Sequence, residues 1–345
     1  MKEWGNVLEI WEGHAADAEL RWRGSSGGVV SALAAFALES GIAGGAVHVR
    51  QDAANALINE TVISHSRDGL VAAAGSRYSP ASPCERLDDI ASATQPLVFI
   101  GKPCDIQAAS AAADRHPAIA NNIALSISIF CAGTPSTNGT RALVAALGVP
   151  TEAKVTSLRF RGHGWPGRMV AQYTTGDGES HVSRTLSYEE GWGDILQKHR
   201  QWRCHLCADH TGEFGDLSVG DPWDKPRGSS TEQGSSLIVV RTARGRAILS
   251  KAISAGAIVA SPRPLNALAS AQPNLVRTRR ILFGRLTGLR ILGLAAPRYN
   301  GWALANLWLT RTNLRDKFGS VLGTVRRALR RQLWLSESAS GDKLP

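Results

Sequence analysis

The sequence predicts an α/β fold, a mixed sheet core with flanking helices, followed by a basic helical C-terminal region. Three observations carry that prediction. Short apolar runs alternate with helical runs through the first half of the chain, which implies a sheet with helices packed on its faces. Hydrophobic content of 43% and charged content of 20% over 345 residues describe a folded chain long enough for one large domain or two ordinary ones. The formal charge of +10 is uneven: between Arg277 and Arg331, 13 Arg or Lys residues stand against one acid, Asp316. A core over 1–260 and a basic helical extension over 261–345 are expected.

The elements follow in order. Val7 to Trp11 reads as a short strand. The glycine-rich turn Gly24-Ser-Ser-Gly-Gly28 opens an apolar helix, Val29 to Leu38, that stops at Gly41 as a C-cap. Ala46 to Val49 and Leu97 to Ile100 are β-like, and the second ends at Gly101-Lys-Pro-Cys104. An alanine-rich helix (Ile106 to Ala113) precedes a third apolar strand, Ile123 to Phe130, which ends at Cys131. The middle, Val155 to Asp224, is rich in Gly, Trp, His and Arg, with short strands at Leu158 to Arg161 and Met169 to Thr174. Ser235 to Arg241 is a strand and Gly245 to Ala255 a helix, with a polar loop from Gly228 to Ser235 before them. Beyond Pro273 the chain is basic and helical, and Ser336 to Pro345 reads as a loose end.

Composition excludes several classes. The start, MKEWGNVLEIWEGHA, carries acids and has no apolar core run, so it does not read as a signal peptide. No stretch reaches the ~18–20 uninterrupted apolar residues of a membrane span. A cytoplasmic location is expected, with peripheral membrane attachment open. The basic run is either a solvated helix face or a surface for an acidic partner, a membrane or a protein. No nucleic-acid signature accompanies it, so no nucleic-acid partner is expected.

Five cysteines in such a chain are not a disulfide framework; they are buried hydrophobes, metal ligands or nucleophiles. Cys204-His-Leu-Cys207 has a spacing that places two thiolates on one metal or cluster. That spacing does not by itself distinguish zinc, an iron–sulfur cluster or a redox dithiol. Cys104 and Cys131 each follow a strand. Together the four thiolates suffice for a [4Fe–4S] cluster, the alternative for the single two being buried small residues. Cys84, in a proline-rich turn, is read as incidental.

Two further segments carry polar chemistry. Ser25, Ser26, Gly27 and Gly28 lie at a strand-to-helix turn, where hydroxyls and helix N–H groups favour a phosphate, although such turns are commonly only tight turns. The segment fits neither G-x-G-x-x-G nor the Walker pattern. Arg159-Phe-Arg-Gly-His-Gly-Trp-Pro-Gly167 is either a structural turn or a loop that lies against a planar ring, with Arg161 and Trp165 as binding residues. His163 is the candidate proton donor, since imidazole titrates near neutrality. Asp216 and Asp221 orient a loop as readily as they do chemistry.

Taken in order, SSGGVVSALAAFALESGIAGGAV, GSRYSPAS, FIGKPCDIQA, IFCAGTPS, FRGHGWPG and CHLCADHTGEFGDLSVGDPW resemble the coenzyme F420 hydrogenase/dehydrogenase beta-subunit family. The resemblance runs from about Arg23 to Trp223, with SSLIVVR completing it. It implies a flavoprotein, usually with FAD, carrying a [4Fe–4S] cluster. Ser25 to Gly28 would hold the flavin phosphates. Gly101, Lys102, Cys104, Cys131, Cys204 and Cys207 would surround the cluster. Family members often carry a ferredoxin-like segment ahead of the serine–glycine turn; here 24 residues precede Ser25 and none is cysteine, so electrons are expected from a separate donor or straight through the flavin. The leading expectation is an oxidoreductase passing electrons between a carrier (deazaflavin coenzyme F420, ferredoxin or a nicotinamide) and a small organic substrate. The alternative is a non-catalytic electron-transfer subunit docked on a partner enzyme, and a third reading gives the thiolates structural zinc.

Overall fold

The computed structural model describes residues 3–225 and 232–334. The chain divides into two compact units. The larger takes the chain as far as Gln201 and then Thr211–Gln272; the smaller joins Trp202–His210 to the chain from Pro273 onward.

The larger unit holds all eleven strands found among the described residues: β1 (Glu9–Ala15), β2 (Gly45–Gln51), β3 (Asn59–Ser64), β4 (Leu97–Gly101), β5 (Ile123–Ile129), β6 (Lys154–Arg159), β7 (Val170–Thr174), β8 (Ser180–Val182), β9 (Leu217–Gly220), β10 (Ser236–Val240) and β11 (Ile258–Arg263). Eight form one sheet in the order β11-β1-β10-β9-β5-β4-β2-β3, and β6-β7-β8 form a second, small antiparallel sheet. The centre of the large sheet, β2-β4-β5-β9, is parallel, and both of its flanks are antiparallel. The mixed sheet with flanking helices is thus the predicted class.

The parallel centre is covered on both faces, as its near-continuous apolar strands require. Val98, Leu125, Ile127, Leu217 and Val219 join one core with Val29, Leu33 and Ala37 of the helix Val29–Glu39. Phe99, Leu97 and Ile123 join another with Ile106 and Ala109 of the helix Pro103–Ala113. Strand β1 runs from Glu9 to Ala15 rather than from Val7 to Trp11, because it pairs along its length with both β10 and β11. Strands β3 and β11 carry no clear alternation of their own and β9 is only four residues long, so all three are set by their neighbours. Of the polar loop expected over 228–235, residues 228–231 lie outside the described residues, as does the tail expected over 336–345.

In the smaller unit the helices Pro273–Arg280, Leu282–Ile291, Leu304–Arg311 and Leu314–Arg330 surround a core of Leu282, Leu286, Leu289, Leu304 and Ala328. Leu206 and Ala208, from the Cys-x-x-Cys segment, belong to that same core. Among the described residues no helix is long and apolar enough to cross a membrane.

Candidate functional site

The serine–glycine turn is built from contacts far apart in sequence. Ser26 Oγ and Ser236 Oγ lie 2.7 Å apart, Gly27 N–H donates to Ser236 Oγ at 2.9 Å, and Ala15 N–H donates to Gly27 O at 2.7 Å. Ser25 Oγ accepts from Ser76 N–H at 2.6 Å, which leaves its own hydrogen to donate. Gly28 is left-handed (φ 71°) at the N-cap of Val29–Glu39, and the first-turn N–H groups of that helix have no intrahelical acceptors. A side chain at Gly27 would stand 2.6 Å from Gly13 O, so the turn is packed directly on β1.

Arg161 sits behind the turn, 3% exposed, and is clamped on all sides. Its guanidinium donates to Asp221 at 2.9 and 2.7 Å, to Ser25 O at 2.5 Å and to Pro166 O at 2.9 Å. Tyr188 and Trp223 present ring faces to it at 5.1 and 5.5 Å. Burial works against its charge, but Asp221 outweighs burial and holds the guanidinium firmly protonated. Trp165 Nε1 also donates to Asp221, at 2.7 Å, and the Trp165 ring lies against Trp223. Asp221 is therefore the organiser of this loop. Its signal in the sequence was the Asp-Pro-Trp segment, which says nothing about which arginine it meets.

His163 is exposed, at a left-handed φ of 56°, and its ring stacks on Trp22. Partial burial, then Arg159 and Arg23, lower its pKa below the usual 6.5, so it is largely uncharged at neutral pH. In that state it accepts a proton more readily than it donates one.

Beside the turn lies a cavity of about 730 Å³ whose wall includes Glu12, His14, Arg21, Trp165, Ser235 and Arg263. Glu12, 7% exposed, accepts hydrogen bonds from Lys225, Ser235 and Arg263. Burial raises its pKa, but those donors overcome it and keep the carboxylate ionised. The volume is that of an ordinary cofactor pocket.

The cysteines divide between the two units. Strands β4 and β5 are parallel neighbours with Gly101 opposite Ser128, so Cys104 and Cys131 leave the same end of the sheet one strand apart. Between them, Gly101 closes β4 and Lys102 pairs with Asp105 at 2.6 Å. Burial opposes the Lys102 charge, but Asp105 and the thiols of Cys104 and Cys131 together raise its pKa. Cys84, read as incidental, stands in this group: its Sγ approaches Asp105 O at 3.4 Å. Burial, then Asp105 and Cys104, push the Cys84 thiol up to about 11, so it stays protonated.

Cys204 and Cys207 flank the end of the short helix Trp202–His205 in the smaller unit. Arg285 donates to His205 O at 2.8 Å and Tyr299 Oη to Leu206 O at 2.5 Å, which ties the loop to the C-terminal helices. None of the five cysteines forms a disulfide. Among the described residues no group of three or more His, Cys, Asp or Glu side chains is gathered at metal-binding spacing. Four half-buried thiols without a disulfide are nonetheless the donor chemistry an iron–sulfur cluster takes.

Asp216, the other acid near the cysteine pair, is structural. It accepts from Arg244, Thr242 and Ser126, joining β5 to the helix Ala243–Ser254.

Residues 10–87 match the N-terminal part, and residues 94–264 the C-terminal part, of the coenzyme F420 hydrogenase/dehydrogenase beta subunit. The chain belongs to this family. The coenzyme F420 hydrogenase subunit beta of Methanococcus voltae is 27% identical over 263 residues, 74% of this chain and 84% of the relative. That of Methanothermobacter thermautotrophicus is 27% identical over 265 residues, 75% of this chain and 85% of the relative. A chain in the F420-reducing [NiFe] hydrogenase complex of Methanosarcina barkeri shares the fold, with a TM-score of 0.64 at 20% identity over 88% of this chain and 99% of that one. Family membership places the chain in the setting of oxidoreductase electron transfer. It also favours a subunit over a self-sufficient reductase, since both of these relatives are named as beta subunits.

Proposed function

We propose that the chain is an electron-transfer subunit of a larger oxidoreductase, binding FAD beside the serine–glycine turn and a [4Fe–4S] cluster through Cys104, Cys131, Cys204 and Cys207. Family membership carries the proposal. The flavin assignment draws support from the first-turn N–H groups of Val29–Glu39, which have no intrahelical acceptors, and from the cavity walled by Trp165 and Ser235. Such N–H groups suit a phosphate. Arg161 then acts by holding the loop Arg161–Gly167 against Ser25, not by touching the cofactor with its own charge. The cluster assignment draws support from the common sheet end that bears Cys104 and Cys131. A flavin and a cluster would supply two-electron and one-electron steps respectively. Coenzyme F420, the coenzyme in the relatives' names, is the proposed carrier.

The test is anaerobic purification and reconstitution, with iron, sulfide and FAD quantified and the visible spectrum recorded. The expected result is stoichiometric FAD with four irons per chain. A colourless, iron-free product, or zinc in place of iron, would overturn the proposal. Turnover by the isolated chain with F420 and an organic substrate, equal to that with a partner enzyme present, would return the reading to a self-sufficient reductase.

A further inference from the structure

The charge of the whole chain resides in the smaller unit. Residues 277–331 hold 13 cations against one acid, while the remainder holds 26 cations against 28 acids. That one acid, Asp316, is paired with Arg277 at 2.5 Å.

The helix Leu314–Arg330 has its faces reversed relative to a helix packed in water. A water-facing helix turns its large apolar residues to the core. Here the buried residues are Ser320, Thr324 and Ala328. They sit on Gly284 and Gly288 of the facing helix: a side chain at Gly284 would collide with Ser320, and one at Gly288 would stand 2.8 Å from Val321 O. Small residues at four-residue spacing on both helices bring the backbones close, the arrangement favoured where the medium around the helices is apolar. Ser320 and Thr324 satisfy their hydroxyls on Lys317 O and Ser320 O, so the inner face needs no water.

The large side chains point outward. Leu314, Phe318, Leu322 and Leu329 are 48–69% exposed. At about 100° per residue they span an arc of roughly 80°. Arg315, Arg326 and Arg330, all exposed, occupy the next part of the circumference, and none is ion-paired among the described residues. The surface lies beyond residues 10–264, where the family-model matches fall.

We infer that the outer face of Leu314–Arg330 is a docking surface for an anionic lipid bilayer, with the helix lying in the interface plane. Apolar side chains on one arc and arginines beside them enter the acyl boundary and the anionic headgroup layer respectively. An acidic protein would match the arginines but gives no reason for the reversed packing. The inference does not depend on which cofactors the chain carries.

The experiment is co-sedimentation of the full chain with vesicles of phosphatidylcholine containing phosphatidylglycerol, compared with phosphatidylcholine alone, across a salt series. Binding to the anionic vesicles only, falling as salt rises, is expected. Phe318→Ser with Leu322→Ser should weaken it on the order of a hundredfold. Each of Arg315→Gln, Arg326→Gln and Arg330→Gln should weaken it about fivefold. These positions are exposed, so far-UV circular dichroism should be unchanged. Failure to sediment with anionic vesicles at low salt would overturn the inference and leave the face to an acidic protein. Binding that ignores Phe318→Ser and Leu322→Ser would overturn it equally, as adsorption by charge alone.

Discussion

Replacing Asp221 by alanine removes the only carboxylate among the described residues that pairs with Arg161 and leaves a guanidinium that is 3% exposed. Breaking one side of a buried ion pair costs about 3–5 kcal/mol, because the remaining charge keeps its desolvation penalty. Trp165 Nε1 loses its acceptor as well, which adds about 1 kcal/mol or more. Two effects offset this: the rings of Tyr188 and Trp223 still face the cation, and Asp221 is 16% exposed, so water can enter behind it. A net loss of about 3–5 kcal/mol is expected, a large part of the ~5–15 kcal/mol that typically holds a protein together. The assay is urea unfolding followed by tryptophan fluorescence and far-UV circular dichroism. Asp221→Asn should cost less, since it keeps an acceptor for Trp165. Arg161→Met combined with Asp221→Leu should cost less than either Asp221→Ala or Arg161→Met alone, because no unpaired charge remains. A loss below about 1 kcal/mol for Asp221→Ala, or a double variant as unstable as the sum of the singles, would refute the reasoning.

Asp216 supplies a pH prediction. Burial raises its pKa, but Arg244, Thr242 and the Ser126 N–H outweigh burial and bring it below the ordinary 3.8. Its stabilisation is therefore present above that value and lost as pH falls below it; Asp216→Asn should lower stability at neutral pH and flatten the acid limb of a stability–pH curve, and an unchanged limb would count against this. Gly27→Ala would press a methyl group to 2.6 Å from Gly13 O and should cost about 1–3 kcal/mol in thermal or urea unfolding, together with lower FAD retention after gel filtration. Serine at Cys104, Cys131, Cys204 or Cys207 should each lower the iron bound after anaerobic reconstitution, whereas Cys84→Ser should leave it unchanged; iron loss at Cys84 equal to that at Cys104 would redraw the ligand set.

Much of the larger unit was legible. The apolar runs at Leu97 and Ile123 are strands β4 and β5, and the run after Gly28 is a helix, because each is a mainly apolar run bounded by turn residues and buried in the core. Strand β9 was not legible: its four residues acquire their role from Ile127 and Val239 on either side. The same holds for the loop from Arg161 to Gly167, whose Arg, Gly and Trp residues in sequence suit a planar ligand as well as a turn. Arg161 is instead spent on Asp221, sixty residues away, and on the backbone of Ser25. Cys84 looked isolated because the chain that returns it to Asp105 is folded by tertiary packing.

By itself the sequence determined the α/β class, the family through its ordered motifs, the concentration of charge after Arg277, and the residue types of two candidate cofactor sites. These are properties of neighbouring residues, or of counts, and need no long-range closure. The tertiary structure alone decided that Ser26 meets Ser236 across 210 residues, and that Cys204-His-Leu-Cys207 packs into the C-terminal helices through Leu206, Arg285 and Tyr299. It also decided which side of Leu314–Arg330 faces outward. Hydrophobic periodicity says that a helix has an apolar stripe, but only packing against Gly284 and Gly288 turns that stripe away from the core.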